Sequence, residues 1–173
     1  MRRRVFQSTH ELAVTALEFR RALEKSSVRR HSKVMARFPI GCCKHSSQLI
    51  AKYLVTELQV PLVSFVYGER GGGGTGLPWQ SHVWLRVGEH TLDITADQYP
   101  EVDAPVVVSV GGGWHSAWLR QRHLTYGEMM TFGFWDGVRF NRMYKAAMRA
   151  MNYQPPPRVV FPLRNAGPPA EPA

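Results

Sequence analysis

The sequence predicts an α+β fold, with N-terminal helices packed on a small antiparallel sheet and C-terminal helices after it. Three observations carry this reading. Apolar residues recur at helical spacing from Leu12 to Leu23 and again from Leu49 to Leu58. Runs rich in β-branched and aromatic residues follow, and helical patterning returns after Gly113. A chain of 173 residues that is 44% hydrophobic can enclose one ordinary core. Residues 1–153 are therefore expected to form a single domain with a basic N-terminal helix, and the Pro-rich tail 154–173, with its PPP and PPAEPA, to be extended or disordered.

The first helix opens at a capping box, Ser8 with Glu11, and is expected to run to about Arg30. A second begins at or beside Cys42-Cys43, its approach punctuated by Pro39 and Gly41. VPLVSFVYGE, residues 60–69, reads as a strand entering the flexible loop GGGGTG at 71–76. No Gly-Lys-Ser/Thr follows, so this is not a phosphate-binding loop. SHVWLRV and HTLDIT flank Gly88-Glu89, and glycine at the first central position suits a two-residue type II′ hairpin. PVVVSV, 105–110, is a further strand; WHSAWLRQRHL, 114–124, and FWDGVRFNRMYKAAMRAM, 134–151, read as helical.

The formal charge of +9 is uneven: residues 1–37 hold ten Lys/Arg against Glu11, Glu18 and Glu24, so 10 − 3 leaves +7 there. A basic helical face is most simply a solvated one, and it also suits nucleic acid or an acidic partner. No run of about 18 apolar residues occurs, so neither a membrane span nor a secretion signal is expected. Two adjacent cysteines close no useful loop, which points to a reducing, cytoplasmic setting.

The hairpin can be worked out on paper. With Gly88 and Glu89 in the turn, Val87 faces His90, Leu85 faces Leu92, Trp84 faces Asp93, Val83 faces Ile94 and His82 faces Thr95. Alternation then gives one apolar face, Val83, Leu85, Leu92 and Ile94, and one polar face, His82, Trp84, Asp93 and Thr95. His82 and Asp93 become diagonal neighbours within side-chain reach. A carboxylate that accepts from one imidazole nitrogen leaves the other free to take a proton from a nucleophile. Cysteine at a helix entrance supplies that nucleophile, because unpaired N–H groups and the positive end of the helix dipole favour a thiolate and an oxyanion. A triad of one of these cysteines, His82 and Asp93 would follow.

The order GCCKHSS, HVW, DIT resembles the transglutaminase-like branch of the papain-like cysteine enzymes, where Gly-x-Cys opens a helix, His-x-Trp lies on a strand and Asp-x-Thr follows on the next. The resemblance spans residues 38–99. It implies a papain-like fold, with Cys43 as nucleophile, His82 as base, Asp93 as orienter, and Trp84 and Thr95 at the accompanying motif positions. It also implies thioester chemistry on a peptide or protein amide, as a hydrolase of peptidase, amidase or deamidase type or as an acyl-transferring cross-linker, without cofactor. Lys44-His45-Ser46 depart from the aromatic or acidic residues common after the family's cysteine, and the Cys-to-His separation is short.

Other readings stand beside this one. Cys42 is an alternative nucleophile, or both cysteines are packing. Gln80 or Gln98 could donate to an oxyanion. His45 is expected at the surface, Asp97 as a turn cap, and His115, His123, Trp114 and Trp118 as apolar packing with polar tips. A zinc site drawn from Cys42, Cys43, His45, His82 and His90 lacks the C-x₂-C spacing that directs two thiolates at one tetrahedral ion, so no metal is expected. From another class comes a catalytically idle scaffold whose basic N-terminal segment docks nucleic acid or an acidic protein.

Overall fold

A computed structural model describes residues 5–71, 78–131 and 137–152. The tail at 154–173, most of the glycine loop and the FGFWD segment at 132–136 lie outside the described residues.

Helix α1, Thr9–Lys25, starts where expected: the Ser8 hydroxyl accepts from the Glu11 N–H at 3.2 Å, and the Glu11 carboxylate accepts from the Gln7 N–H at 3.1 Å. It does not reach Arg30. Ser26 turns extended (φ −78°, ψ 167°), its hydroxyl bonds to the Leu23 carbonyl and accepts from the Val28 N–H, and a separate short helix α2, Val28–His31, follows. Two consecutive serines offer the backbone alternative partners, which is why the periodicity breaks there. A 3₁₀ turn at Met35–Arg37 leads to α3, Cys43–Lys52, which continues as a π-helical turn through Tyr53–Glu57.

Five strands form one antiparallel sheet in the order β4-β3-β2-β1-β5. They are β1 Val63–Arg70, β2 Gln80–Val87, β3 His90–Asp93, β4 Val107–Val110 and β5 Arg120–Thr125. The hairpin register is the one derived on paper, with Val87 opposite His90 and Leu85 opposite Leu92. Gly88 has φ +59°, the left-handed value a type II′ turn needs at its first central position.

Residues 114–124 form no α-helix. They form a 3₁₀ turn at Gly113–Ala117 and then β5, which pairs with β1 from Ser64 opposite Thr125 to Glu69 opposite Arg120. Long-range pairing with an otherwise open strand edge wins over local helical patterning, and the positive φ at Gly111, Gly112 and Gly113 sets the chain direction that permits it. After β5 come α4, Tyr126–Thr131, and α5, Gly137–Ala150.

The two faces of the sheet are covered differently. Helices bury one face: Phe65, Val83, Leu85, Leu92 and Ile94 join Leu12, Phe19, Leu49, Leu54 and Met143 in a single core. Each such side chain contributes about 1.5–3 kcal/mol by leaving water. The other face carries a smaller cluster of Val66, Trp84, Tyr99 and Trp118. Tyr99 lies in the segment between β3 and β4 and Trp118 in the one between β4 and β5, so helices build the core and loops roof the second face.

Candidate active site

The site grows out of that second face. His82 and Trp84 on β2 point away from the helical core, and Asp93 ends β3 on the same side. His82 and Asp93 are 0% and 1% exposed. The His82 Nε2 stands 2.5 Å from Asp93 Oδ2, the span of a short charge-assisted hydrogen bond. Asp93 Oδ1 accepts from the Thr95 N–H at 2.8 Å and from the Thr95 hydroxyl at 3.1 Å. This accounts for the Asp-x-Thr spacing: the threonine turns the chain back and occupies the oxygen that the histidine does not use.

Sequence reading missed a fourth participant. His115 Nε2 donates to the same Asp93 Oδ2 at 3.0 Å, and His115 is 1% exposed. With four donors the carboxylate is saturated. Burial pushes its pKa up, but the His82 charge and the hydrogen bonds from His115 and His82 outweigh that and hold Asp93 well below the ordinary carboxylate range. For His82, burial pulls down, while the charge and hydrogen bond of Asp93, joined by Cys43, pull up more strongly, to about 9. The signal for His115 was the glycine run before Trp114-His115, a poor helix start, though nothing local paired this histidine with Asp93.

Cys43 begins α3 and is half-buried. Cys43 lies near enough to His82 to help raise its pKa, and its charge adds to burial in raising that of Tyr99. Since Nε2 is committed to Asp93, Nδ1 is the nitrogen left for the thiol. The helix is aimed by Ser47, one turn after Cys43 on the same helical face, whose hydroxyl donates to the carbonyl of Val83 at 3.1 Å. Val83 is the residue next to His82. One hydrogen bond thereby registers the cysteine helix against the histidine strand.

Cys42 is packing: it is 0% exposed, its thiol donates to the carbonyls of Val34 and Ile40, and burial, then Cys43, push its pKa up to about 11. Gln98 lies at the site, with its Oε1 accepting from the Gly41 N–H at 3.1 Å and its Nε2 donating to the Thr95 carbonyl at 2.9 Å. That same nitrogen is 3.3 Å from His82 Nδ1 and can donate to it when the ring is neutral. Gly41, at φ +67°, makes the turn that presents its N–H to Gln98. Gln80 is elsewhere, with its Oε1 taken by Arg70 Nε at 2.7 Å. Asp97 does not merely cap a turn; it holds Arg20 through two hydrogen bonds of 2.7 Å. His45 is half-buried rather than at the surface, and burial, then Lys44, lower its pKa.

Aromatic rings enclose the imidazole. Tyr99, Trp118, Trp84 and Trp114 lie with centroids 5.2, 5.4, 5.8 and 5.9 Å from the His82 ring. Trp114 and Trp118 are therefore part of the site's wall, and His123 stands exposed on β5. Arg70 stacks over Trp118 and Tyr99 at 4.5 and 4.8 Å and pairs with Glu101. Such a dry surround strengthens the ion pair inside it.

Potential metal ligands converge at His82, Asp93 and His115, not at the cysteines. Two atoms bound to one tetrahedral zinc at ~2.1 Å stand about 3.4 Å apart. The 2.5 Å His82–Asp93 spacing is that of a hydrogen bond instead. Among the described residues no helix is long and apolar enough to cross a membrane.

The geometry brings His82, Asp93, Gln98 and His115 together with Cys43 nearby, and ties Gln80 to Arg70 and Cys42 to the Val34 and Ile40 carbonyls instead. No protein-family model, curated protein or solved structure matches this chain.

Proposed function

We propose that the chain is a cysteine-dependent acyl-transfer enzyme of papain-like, transglutaminase-like type that hydrolyses peptide or glutamine-type amides in a reducing, cytoplasmic setting. The observation that carries this reading is the enclosed His82–Asp93 hydrogen bond beside a half-exposed cysteine at a helix start. The proton of the Cys43 thiol already resides on His82 Nδ1, in keeping with an imidazole that keeps its proton up to about 9, and the sulfur attacks the amide carbon as the thiolate, forming a C–S bond while the carbonyl electron pair moves to oxygen. Asp93 holds the resulting imidazolium in place. The first-turn N–H groups of α3, which have no intrahelical acceptors, face the developing oxyanion. As the C–N bond breaks, the imidazolium proton goes to the departing amine. Water, deprotonated by His82, then releases the acid and restores the thiol.

Iodoacetamide labelling across pH, with the modified residue mapped by mass spectrometry, tests this. Cys43 is expected to react selectively, and His82→Ala to slow it by about tenfold or more at neutral pH. Equal, sluggish labelling of both cysteines would overturn the proposal in favour of an idle scaffold. Assaying peptide amides with and without an added amine then separates hydrolysis from cross-linking by the product formed.

A further inference from the structure

Helix α5 carries a charge pattern that works against its own stability. Arg142, Lys145 and Arg149 are exposed and fall at i, i+3 and i+7, one stripe along the helix. Arg139 adds a cation to the first turn, where the helix dipole favours an anion, and no acidic residue occurs anywhere in Gly137–Ala150. Like charges at this spacing repel, so the stripe weakens the helix that bears it.

The stripe has a basic neighbour. Helix α2 packs against α5, and its Arg29 and Arg30 are exposed, as is Arg37 on the turn that follows. Burial raises the Cys42 thiol pKa while Arg37 and Arg29 pull against it, which places both guanidiniums near the start of α3. From Lys25 to Thr56 the chain contains no acidic residue, and among the described residues none of these cations forms an ion pair. A merely solvated surface intersperses both signs, whereas this one keeps a single sign across two packed elements.

The make-up of the face also says what it fits. A nucleic-acid duplex presents one phosphate charge per about 1.7 Å of axis, far denser than an acidic protein segment, and guanidiniums, the majority here, grip phosphate oxygens in pairs. An unpaired strand would call for aromatic rings to stack on, and a bilayer for aromatic or long aliphatic anchors. Among the described residues the large exposed apolar side chains between Val28 and Arg37 and on α5 are Val34 and Val138, neither of them aromatic.

We propose that the face formed by α2, the turn at Met35–Arg37 and α5 binds the phosphate backbone of a double-stranded nucleic acid without reading its sequence. Fluorescence anisotropy of the intact chain with a duplex of about 20 base pairs, in DNA and RNA forms, tests this beside the single strand, polyglutamate and phosphatidylserine-containing vesicles. Duplex affinity is expected to fall linearly with salt on logarithmic axes, with a slope of about −4 or steeper, and to be the same for unrelated base sequences. Arg142→Gln combined with Arg149→Gln, which keeps helix propensity, is expected to weaken binding about tenfold and to make the slope shallower by about 2. The same change of charge at the exposed Arg120 and Arg122 on β5 is expected to leave both unaltered. The tighter of the two duplexes names the source of the backbone. Single strand, polyglutamate or vesicles bound as tightly as the duplex, or an equal loss in the β5 variant, would each overturn the proposal. Binding should persist in Cys43→Ala, so its failure and failure of the thiol chemistry are read separately.

Discussion

At Asp93 two histidines and one threonine compete for a single carboxylate, and all four of its hydrogen bonds are made inside the protein. Asp93→Asn keeps the shape but swaps acceptors for donors, so His82 loses the partner that fixes its tautomer. Turnover of an amide substrate is expected to fall about 10³–10⁴-fold with little change in substrate binding. Asp93→Ala, which strands two buried imidazoles, is expected to lower stability by about 3–5 kcal/mol in urea denaturation. The His82–Asp93 pairing was legible in the sequence because a two-residue turn fixes the hairpin register and hence their diagonal neighbourhood. His115 was not, since its place depends on where three left-handed glycines send the chain. No sequence periodicity encodes that turn.

Among the elements, β1 shows how tightly the second face is packed. Gly68 lies opposite His82, and a Cβ there would come within 2.5 Å of the Trp84 ring and 2.9 Å of the Trp118 Cβ. Gly68→Ala is therefore expected to cost about 1–3 kcal/mol and to displace the aromatic wall, read as altered tryptophan fluorescence alongside a lower denaturation midpoint. A matching change at any open glycine, such as Gly127, meets nothing within 4 Å. Strands β1, β2 and β3 and helices α1 and α3 could be read from alternation, capping and stripe, because each owes its form to local pattern. β5 could not, because its alternation is weak and its existence rests on pairing with β1, from Glu69, 51 residues before Arg120, to Ser64, 61 residues before Thr125. The break after Lys25 was hidden for the opposite reason: the apolar stripe continues through Val28 while the serines redirect the backbone.

For the molecule as a whole, Arg20 joins the helical layer to the segment that carries the site. Its guanidinium donates to Asp97 and to the carbonyls of Ile94 and Pro105, bracketing the chain that presents Gln98 and Tyr99. Arg20→Met is expected to cost on the order of 2–4 kcal/mol, less than a fully enclosed pair because the Asp97 side chain keeps 21% exposure. The buried ion pair also sets how stability follows pH. His82 binds its proton more tightly folded than unfolded, so its contribution is complete below the ordinary value of 6.5 and is lost as pH rises through about 9. Asp93 does the reverse, contributing fully above 3.8 and losing that contribution as pH falls toward its depressed folded value. Denaturation midpoints should thus form a plateau between these limits and decline on the alkaline side, and His82→Asn should flatten that decline. The most direct test of the central claim is spatial: 1,3-dibromoacetone, which loses one bromide to a thiolate and the second to a nucleophile within its short reach, should bridge Cys43 to His82 in a single cross-linked peptide pair. A bridge from Cys43 to any other side chain, or a singly attached adduct with His82 unmodified, would contradict it.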